Sequence, residues 1–207
     1  MANTVDIQRM LGTYPIISDQ VNREQLLVIL TELEKVLARD VSGAVVEFGC
    51  YIGTTSLFIR RMLNLYNDDR EFHVYDSFEG LPEKTAQDNS SAGEQFQAGE
   101  LTVSKKQLIR EFQKANLRIP IIHKCWFNEL TSQNVSSQIA FAFLDGDFYE
   151  SIKDSLELVL PRLAPGATII VDDYAREALP GAARAVNELL PKHLSVQTIH
   201  NLGIIHT

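Results

Sequence analysis

Three aspartates carry the most legible chemistry in this chain: Asp145, in the segment FLDGD, and the pair Asp172-Asp173, in IIVDDY. Each follows a continuous apolar run, Ile139 to Leu144 and Ala167 to Val171, with the length of a strand buried on both faces. Between the runs, Tyr149, Ile152, Leu156, Val159 and Leu163 recur at three- and four-residue spacing. That pattern predicts a helix over Phe148 to Leu163, with Pro165-Gly166 turning the chain into the second strand. A right-handed crossover then sets the two strands parallel and usually adjacent. The three carboxylates share one sheet edge, beyond the strand ends, where open parallel sheets bind ligands. Hard oxygen donors with open positions suit Mg²⁺, and such an ion lowers the pKa of an alcohol and orients it as a nucleophile. Asp147 reads differently, because Asp147-Phe148-Tyr149-Glu150 has capping-box spacing and assigns it to the helix start. A general base stays unassigned: His123 ends a strand but reads more readily as a structural residue, and Asp145 could itself take the proton.

A second constellation is Glu47-Phe48-Gly49-Cys50-Tyr51-Ile52-Gly53, an acid followed by glycines four apart at a strand-to-helix turn. Glycine there lets backbone approach a ligand that a Cβ would exclude, so Gly49→Val is expected to abolish binding. The spacing departs from G-x-G-x-x-G, and Glu47 would repel phosphate, so a pyrophosphate at this turn is not the natural reading. Asp76 ends the next strand, where mononucleotide-type halves hydrogen-bond ribose hydroxyls.

The elements that must position these residues follow from the pattern of the chain. Residues 1–17 read as either an ordered arm or a frayed end. Ser18 to Arg39 predicts a helix on Val21, Leu26, Leu30, Leu33 and Leu37, with Ser18-Asp19 as its cap. Strands are expected at Ala44 to Phe48, Glu71 to Tyr75 and Ile119 to His123. Two more are expected near the end, Ser195 to His200 and Ile204 to His206. Helices are expected at Thr54 to Leu63, Ser104 to Leu117 and Gly181 to Leu190. The polar stretch from Glu79 to Glu100 lacks periodicity, and loops of that length in compact domains commonly serve as lids. Alternating strands and helices imply one doubly wound α/β domain: an N-terminal arm and helix over residues 1–40, then a core over 41–207 with a lid at 79–100.

Composition excludes several classes. At 207 residues, with 45% hydrophobic and 22% charged residues, the chain is ordinary for a single globular domain. No apolar run reaches about 18 residues, the minimum for a spanning helix. A formal net charge of −8 argues against nucleic-acid and anionic-membrane partners. Two cysteines, Cys50 and Cys125, and an N-terminus without a signal-like apolar core point to a reducing cytoplasm and no disulfide.

The order of these motifs resembles the class I S-adenosylmethionine-dependent methyltransferases and, more narrowly, the macrocin O-methyltransferase family. The segments that carry the resemblance are VVEFGCYIGTTS, VYDSFEGLP, FLDGDFYES, LVLPRLAPGATIIVDDY and LPGAARAV, spanning roughly residues 44–188. The resemblance implies a Rossmann-like, mostly parallel seven-stranded sheet, S-adenosylmethionine as cofactor, and Mg²⁺ held by Asp145, Asp172 and Asp173. It implies Glu47, Gly49 and Gly53 at the methionine end of the cofactor, Asp76 on its ribose and Trp126 by its adenine. Tyr51, Thr54, Ser77 and Asp145 complete that set, with Asp145 also at the catalytic centre. The expected reaction is O-methylation of a hydroxyl on a sugar or other small natural product, with homo-oligomerisation left open. Departures such as Pro165-Gly166-Ala167 and Cys125 before Trp126 bear on the acceptor side. Two rivals stay open: a nicotinamide-dependent oxidoreductase on a similar fold, and a methyltransferase-like domain that binds without turnover.

Overall fold

The structure, a computed structural model, describes residues 4–207. Seven strands form one sheet: β1 (Ala44–Phe48), β2 (Phe72–Asp76), β3 (Ile121–Lys124), β4 (Ile139–Leu144), β5 (Leu163–Val171), β6 (Val196–Ile199) and β7 (Leu202–His206). Their order is β3-β2-β1-β4-β5-β7-β6. All pairs from β3 to β5 are parallel, and β7 runs antiparallel to both β5 and β6. The expected mostly parallel α/β sheet is therefore observed.

Six helices cover its two faces: α1 (Thr4–Thr13), α2 (Arg23–Ala38), α3 (Thr54–Leu65), α4 (Lys105–Lys114), α5 (Tyr149–Val159) and α6 (Pro180–Leu189). Successive strand residues point to opposite faces, and the core divides accordingly. Val45, Phe141, Phe143 and Ile170 pack with apolar residues of the first four helices, whereas Val46, Ala142, Leu144, Ile169 and Val171 pack with those of α5 and α6. Burial on both faces is what a parallel sheet requires, and it explains why β4 is uninterrupted apolar sequence.

Local departures from expectation have identifiable causes. From Thr4 the N-terminal stretch is helical, with Ile7 and Leu11 buried in the core, so the ordered alternative holds there; residues 1–3 lie outside the described residues. The cap of α2 is Asn22, not Ser18-Asp19: its side chain accepts from the Gln25 N–H while the Gln25 side chain accepts from the Asn22 N–H. That reciprocal bonding satisfies two donors at once. Helix α5 stops at Val159, and a 3₁₀ turn containing Pro161 follows, because proline lacks the N–H and obstructs the preceding turn. Pro165-Gly166 does not turn the chain between elements. Strand β5 already begins at Leu163, and the β4–β5 register shifts there, with Gly166 at φ +83° accommodating the irregularity.

The β4–β5 pairing ends with Leu144 opposite Val171. One step further, Asp172 N–H donates to Leu144 O at 2.8 Å, and Asp145 N–H donates to Phe48 O at 2.8 Å. The carboxyl ends of β1, β4 and β5 thus finish level, with Asp145 and Asp172 as neighbours.

Candidate active site

A cleft opens over these strand ends, lined by Gly49, Cys50 and Tyr51 after β1, by Asp76 and Ser77 after β2, and by Cys125, Trp126 and Phe127 after β3. Asp145, Gly146 and Asp147 after β4, and Asp172, Asp173 and Arg176 after β5, supply its acidic side. Glu47, Gly53 and Thr54 do not line it. Glu47 is fully buried behind the wall, accepting from Ser56 Oγ at 2.5 Å through Oε2, while Oε1 has no partner among the described residues. Burial, with a smaller push from Asp76, raises its pKa to about 8 despite the Ser56 bond. Gly53, at φ +92°, starts α3, and Thr54 Oγ1 donates to Ser18 Oγ at 3.1 Å.

Gly49 acts chiefly through its backbone. At φ +83°, an added Cβ would collide with the carbonyl oxygen of Asp145, so glycine permits β1 and β4 to cross closely. The expectation that a larger residue would first fill ligand space is corrected accordingly. Asp76 also has structural partners: Oδ2 accepts from the N–H groups of Cys50 and Tyr51 at 2.8 and 3.3 Å, and Oδ1 from Phe78 N–H at 2.7 Å. It holds the loop after β1 against the end of β2. The two cysteines are free.

The acidic side is electrostatically compressed. Burial raises the pKa of Asp145, and Asp172, Asp147, Asp173 and Glu47 raise it further. Asp172 is pushed up to about 7, by burial and then by Asp173. Its carboxyl faces that of Asp145 across the ends of β4 and β5, and each disfavours ionisation of the other or of its neighbours. Asp172 Oδ1 also accepts from Gln25 Nε2 at 3.1 Å and from the Asp173 N–H at 2.9 Å. Asp173 is raised by burial and restrained by Arg176, whose Nη1 lies 3.0 Å from Asp173 Oδ1. Among the described residues, no three His, Cys, Asp or Glu side chains are gathered tightly enough to hold a metal ion.

Asp147 departs from its expected role. Tyr149 N–H, at the start of α5, donates not to Asp147 but to Asp88 Oδ1 at 2.7 Å. The cap comes from the stretch between β2 and α4, leaving Asp147 to turn into the cleft at φ +58°. It is 8% exposed, and no hydrogen bond to its carboxylate is made by the described residues. Burial raises its pKa, Asp173 and Asp172 add to that, and Arg176 opposes it. The second aspartate of Asp145-Gly146-Asp147 was the available signal for this role, and the local capping pattern concealed it.

The stretch 79–100 is held at both neck and middle. Leu81 N–H donates to Glu100 O and Gly99 N–H to Leu81 O, each at 2.9 Å. Asp88, 5% exposed, ends a 3₁₀ turn at Ala86–Asp88 and accepts from Thr85 as well as Tyr149. Arg184 donates to the carbonyls of Gln87 and Asn89, and a Cβ at Gly181 would collide with Asp88 Oδ1. Gly80, Leu81 and Pro82, with Leu101, form part of the cleft wall. His123 lies outside the wall, its Nε2 3.0 Å from His73 Nδ1 and its ring stacked on Tyr75. Gln20, Glu150, Ser151, Asp154 and Arg176 are wall residues that sequence reasoning missed, because no local pattern ties a helix rim to a distant strand end.

The model of a family described as Macrocin-O-methyltransferase (TylF) matches residues 14–203. A Streptomyces olivaceus protein named 8-demethyl-8-(2,3-dimethoxy-alpha-L-rhamnosyl)-tetracenomycin-C 4'-O-methyltransferase is 37% identical over 153 residues, covering 70% of this chain and 58% of that protein. The mycinamicin III 3''-O-methyltransferase of Micromonospora griseorubida is 31% identical over 169 residues, covering 78% and 65%. The chain therefore spans about three fifths of the length of the curated relatives it matches. Among solved structures, the O-methyltransferase NovP superposes with a TM-score of 0.77 at 27% identity, covering 88% of this chain and 79% of that one. The calicheamicin methyltransferase CalS11 shares the fold with a TM-score of 0.73 at 21% identity, covering 98% and 90%.

Proposed function

The chain belongs to the macrocin O-methyltransferase family, and we propose that it transfers the methyl group of S-adenosylmethionine to a hydroxyl of a small, glycosylated natural product. The observation that carries this reading is Asp147, a buried carboxylate without a partner, facing a cleft floored by the strand ends. In the transfer, the acceptor oxygen attacks the sulfonium methyl, the new O–C bond forms as the S–C bond breaks, and the electron pair returns to sulfur. The hydroxyl proton passes to the Asp147 carboxylate. A base raised above the usual carboxylate range is better matched to that task, and the buried cleft excludes competing water.

Cofactor contacts are assigned to Gly49, Tyr51, Asp76, Ser77, Trp126 and Asp145 at the wall. Glu47, Gly53 and Thr54 shape the loop from behind. Asp145, Asp172 and Asp173 are suited by type to a divalent cation, because buried, mutually repelling oxygens are stabilised by one. Binding would need Arg176 to release Asp173 and the carboxyls, whose pKa values are raised, to give up any protons they hold. Such an ion, when bound, supplies charge neutralisation and acidifies a coordinated hydroxyl. Residues 79–100 act as the lid over the acceptor, anchored by Asp88, with closure confined to the stretch between Asn89 and the neck.

Incubation with methyl-labelled S-adenosylmethionine and a panel of glycosylated metabolites, with Mg²⁺ or with excess chelator, tests the reading. Labelled ether product is expected, with calorimetric binding of S-adenosylhomocysteine in either buffer. Absence of S-adenosylhomocysteine binding would remove the methyltransferase assignment, whereas undiminished turnover in chelator would remove only the metal. Calorimetric titration with Mn²⁺ gives the metal a readout independent of turnover: heat should appear with wild type and vanish in Asp172→Asn.

A further inference from the structure

Helix α5 has two carboxylates competent to cap it, and the distant one does so. Its own sequence offers Asp147: with that residue as N-cap, Tyr149 is the second helical residue, whose N–H an N-cap side chain accepts, and Glu150 completes the capping box. That N–H is instead taken by Asp88 Oδ1 at 2.7 Å, from a residue 61 positions earlier. The helix consequently begins one residue later than this pattern, with Phe148 as an N-cap that makes no side-chain bond. Asp147 falls outside it in the left-handed region, at φ +58°, whereas an N-cap residue is extended. A residue other than glycine persists there only where its surroundings over-determine it.

The surroundings that do so belong to Asp88. Its Oδ2 accepts from the Thr85 N–H at 2.8 Å and from Thr85 Oγ1 at 2.9 Å, which leaves Oδ1 for Tyr149, and the side chain is buried. Helix α6 is shaped to admit it. A Cβ at Gly181 would collide with Asp88 Oδ1 and stand 2.6 Å from Tyr149 N. Gly181 has no positive φ, so the close approach, not the backbone angle, accounts for glycine there. From the same stretch, Lys84 lies over the Phe148 ring at 5.4 Å. We propose that Asp88 is a positioning residue for the base: by capping α5 from the 79–100 stretch, it takes the N–H that Asp147 would otherwise bind and so keeps the Asp147 carboxylate in the cleft. Without the Asp88 bond, the helix gains a residue at its start, Asp147 turns to cap it, and the cleft loses its base. The proposal rests on the assignment of Asp147 as that base.

The crystal structure of the full chain carrying Asp88→Ala, with S-adenosylhomocysteine, reads this exchange without any acceptor. Asp147 should leave the left-handed region, and its carboxylate should lie within hydrogen-bond distance of the Tyr149 N–H. Kinetics with methyl-labelled S-adenosylmethionine use the member of the glycosylated panel that wild type methylates fastest. There kcat should fall by about 10–100-fold, the scale for a displaced catalytic group, while KM for S-adenosylmethionine stays within about threefold. Asp88→Asn, whose amide oxygen can accept the same N–H, should recover most of the lost turnover. Gly181→Ala suits a helix and displaces Asp88 through its Cβ, so it should reproduce both results even where Asp88→Ala folds poorly. An Asp147 carboxylate still turned into the cleft in these variants, or an undiminished kcat, would overturn the proposal. Full turnover in Asp147→Asn would instead be a failure of the underlying reading.

Discussion

The two flanks of the strand-end surface solve the burial of polar groups in opposite ways. On the β2–β3 flank, His73 and His123 bond ring to ring at 3.0 Å. His73 Nε2 also lies 3.1 Å from both Glu71 Oε2 and Ser136 Oγ, and Tyr75 donates to Asn134 O. The rings stack in series, with centroids 4.4 Å apart for Tyr75 and His123 and 5.3 Å for the two histidines. On the β4–β5 flank, carboxylates face carboxylates and raise one another's pKa, and among the described residues the Asp147 carboxylate has no hydrogen bond. Buried polar groups are costly unless bonded. A flank that satisfies its groups internally is explained by folding, whereas one that leaves them unsatisfied is explained by a ligand.

The largest expected effect comes from removing the charge that breaks this balance most. Asp147→Asn preserves shape, and asparagine tolerates the left-handed backbone at this position, so the fold should persist. Turnover should fall by about 10²–10⁴-fold, the range for loss of a positioned base, while S-adenosylhomocysteine affinity stays within a few-fold. Equal turnover in the variant would return Asp147 to a scaffolding role and erase the contrast between the flanks.

Gly49→Ala probes what holds the acidic flank in register. The substituted Cβ meets the Asp145 carbonyl at a backbone angle that side chains rarely adopt, so a loss of about 3 kcal/mol or more is expected. Urea denaturation measures it. A loss below about 1 kcal/mol would mean that the β1 and β4 ends separate easily.

Glu47 is an intermediate case, with one oxygen bonded and the other orphaned. Its folded pKa, about 8, lies above its ordinary value of 4.5. The folded state therefore holds a proton that the unfolded chain releases, and stability declines as pH rises from about 4.5 toward about 8. Below that window the stabilisation is fully present, and above it the loss is complete. The slope belonging to one group is at most about 1.4 kcal/mol per pH unit. Glu47→Gln should flatten the decline measured by urea titration in the ligand-free protein, and an unchanged slope would assign the pH dependence to the aspartates.

These cases show what the sequence can carry. Apolar runs and helical spacing located every strand and most helices; burial on two faces leaves a continuous signature in β1, β4 and most of β5, whereas the edge strands β3 and β6 carry no such burial. The strand-end positions of Asp145 and of the pair Asp172-Asp173 could be read because each set directly follows such a run. Asp147 was misread because a local capping pattern competes with Asp88, which lies 61 residues before the Tyr149 N–H it accepts from, and tertiary capping leaves no local trace. The same limit hid Gln25, which reaches Asp172 across 147 residues. Pro165-Gly166 misled for another reason: the pair that signals a turn also suits an irregular strand.

The smallest effect is expected on the opposite flank, where His123 can be changed with little consequence for chemistry. His123→Phe keeps a flat ring on Tyr75 and removes the bond to His73, whose Nδ1 then loses its partner at a site 8% exposed. Loss of one buried hydrogen bond costs about 1–2 kcal/mol, readable by urea denaturation. Burial lowers the His123 pKa, and His73 and Lys105 lower it further, so the ring is held neutral in the fold. Stability linked to it is therefore present above its ordinary value of 6.5 and declines as acid protonates the unfolded chain first. The variant should lose that acid sensitivity while turnover stays within about threefold of wild type, the converse of Asp147→Asn. A turnover loss comparable to that of Asp147→Asn, without matching destabilisation, would place His123 in the reaction and end the division between a satisfied flank and a reactive one.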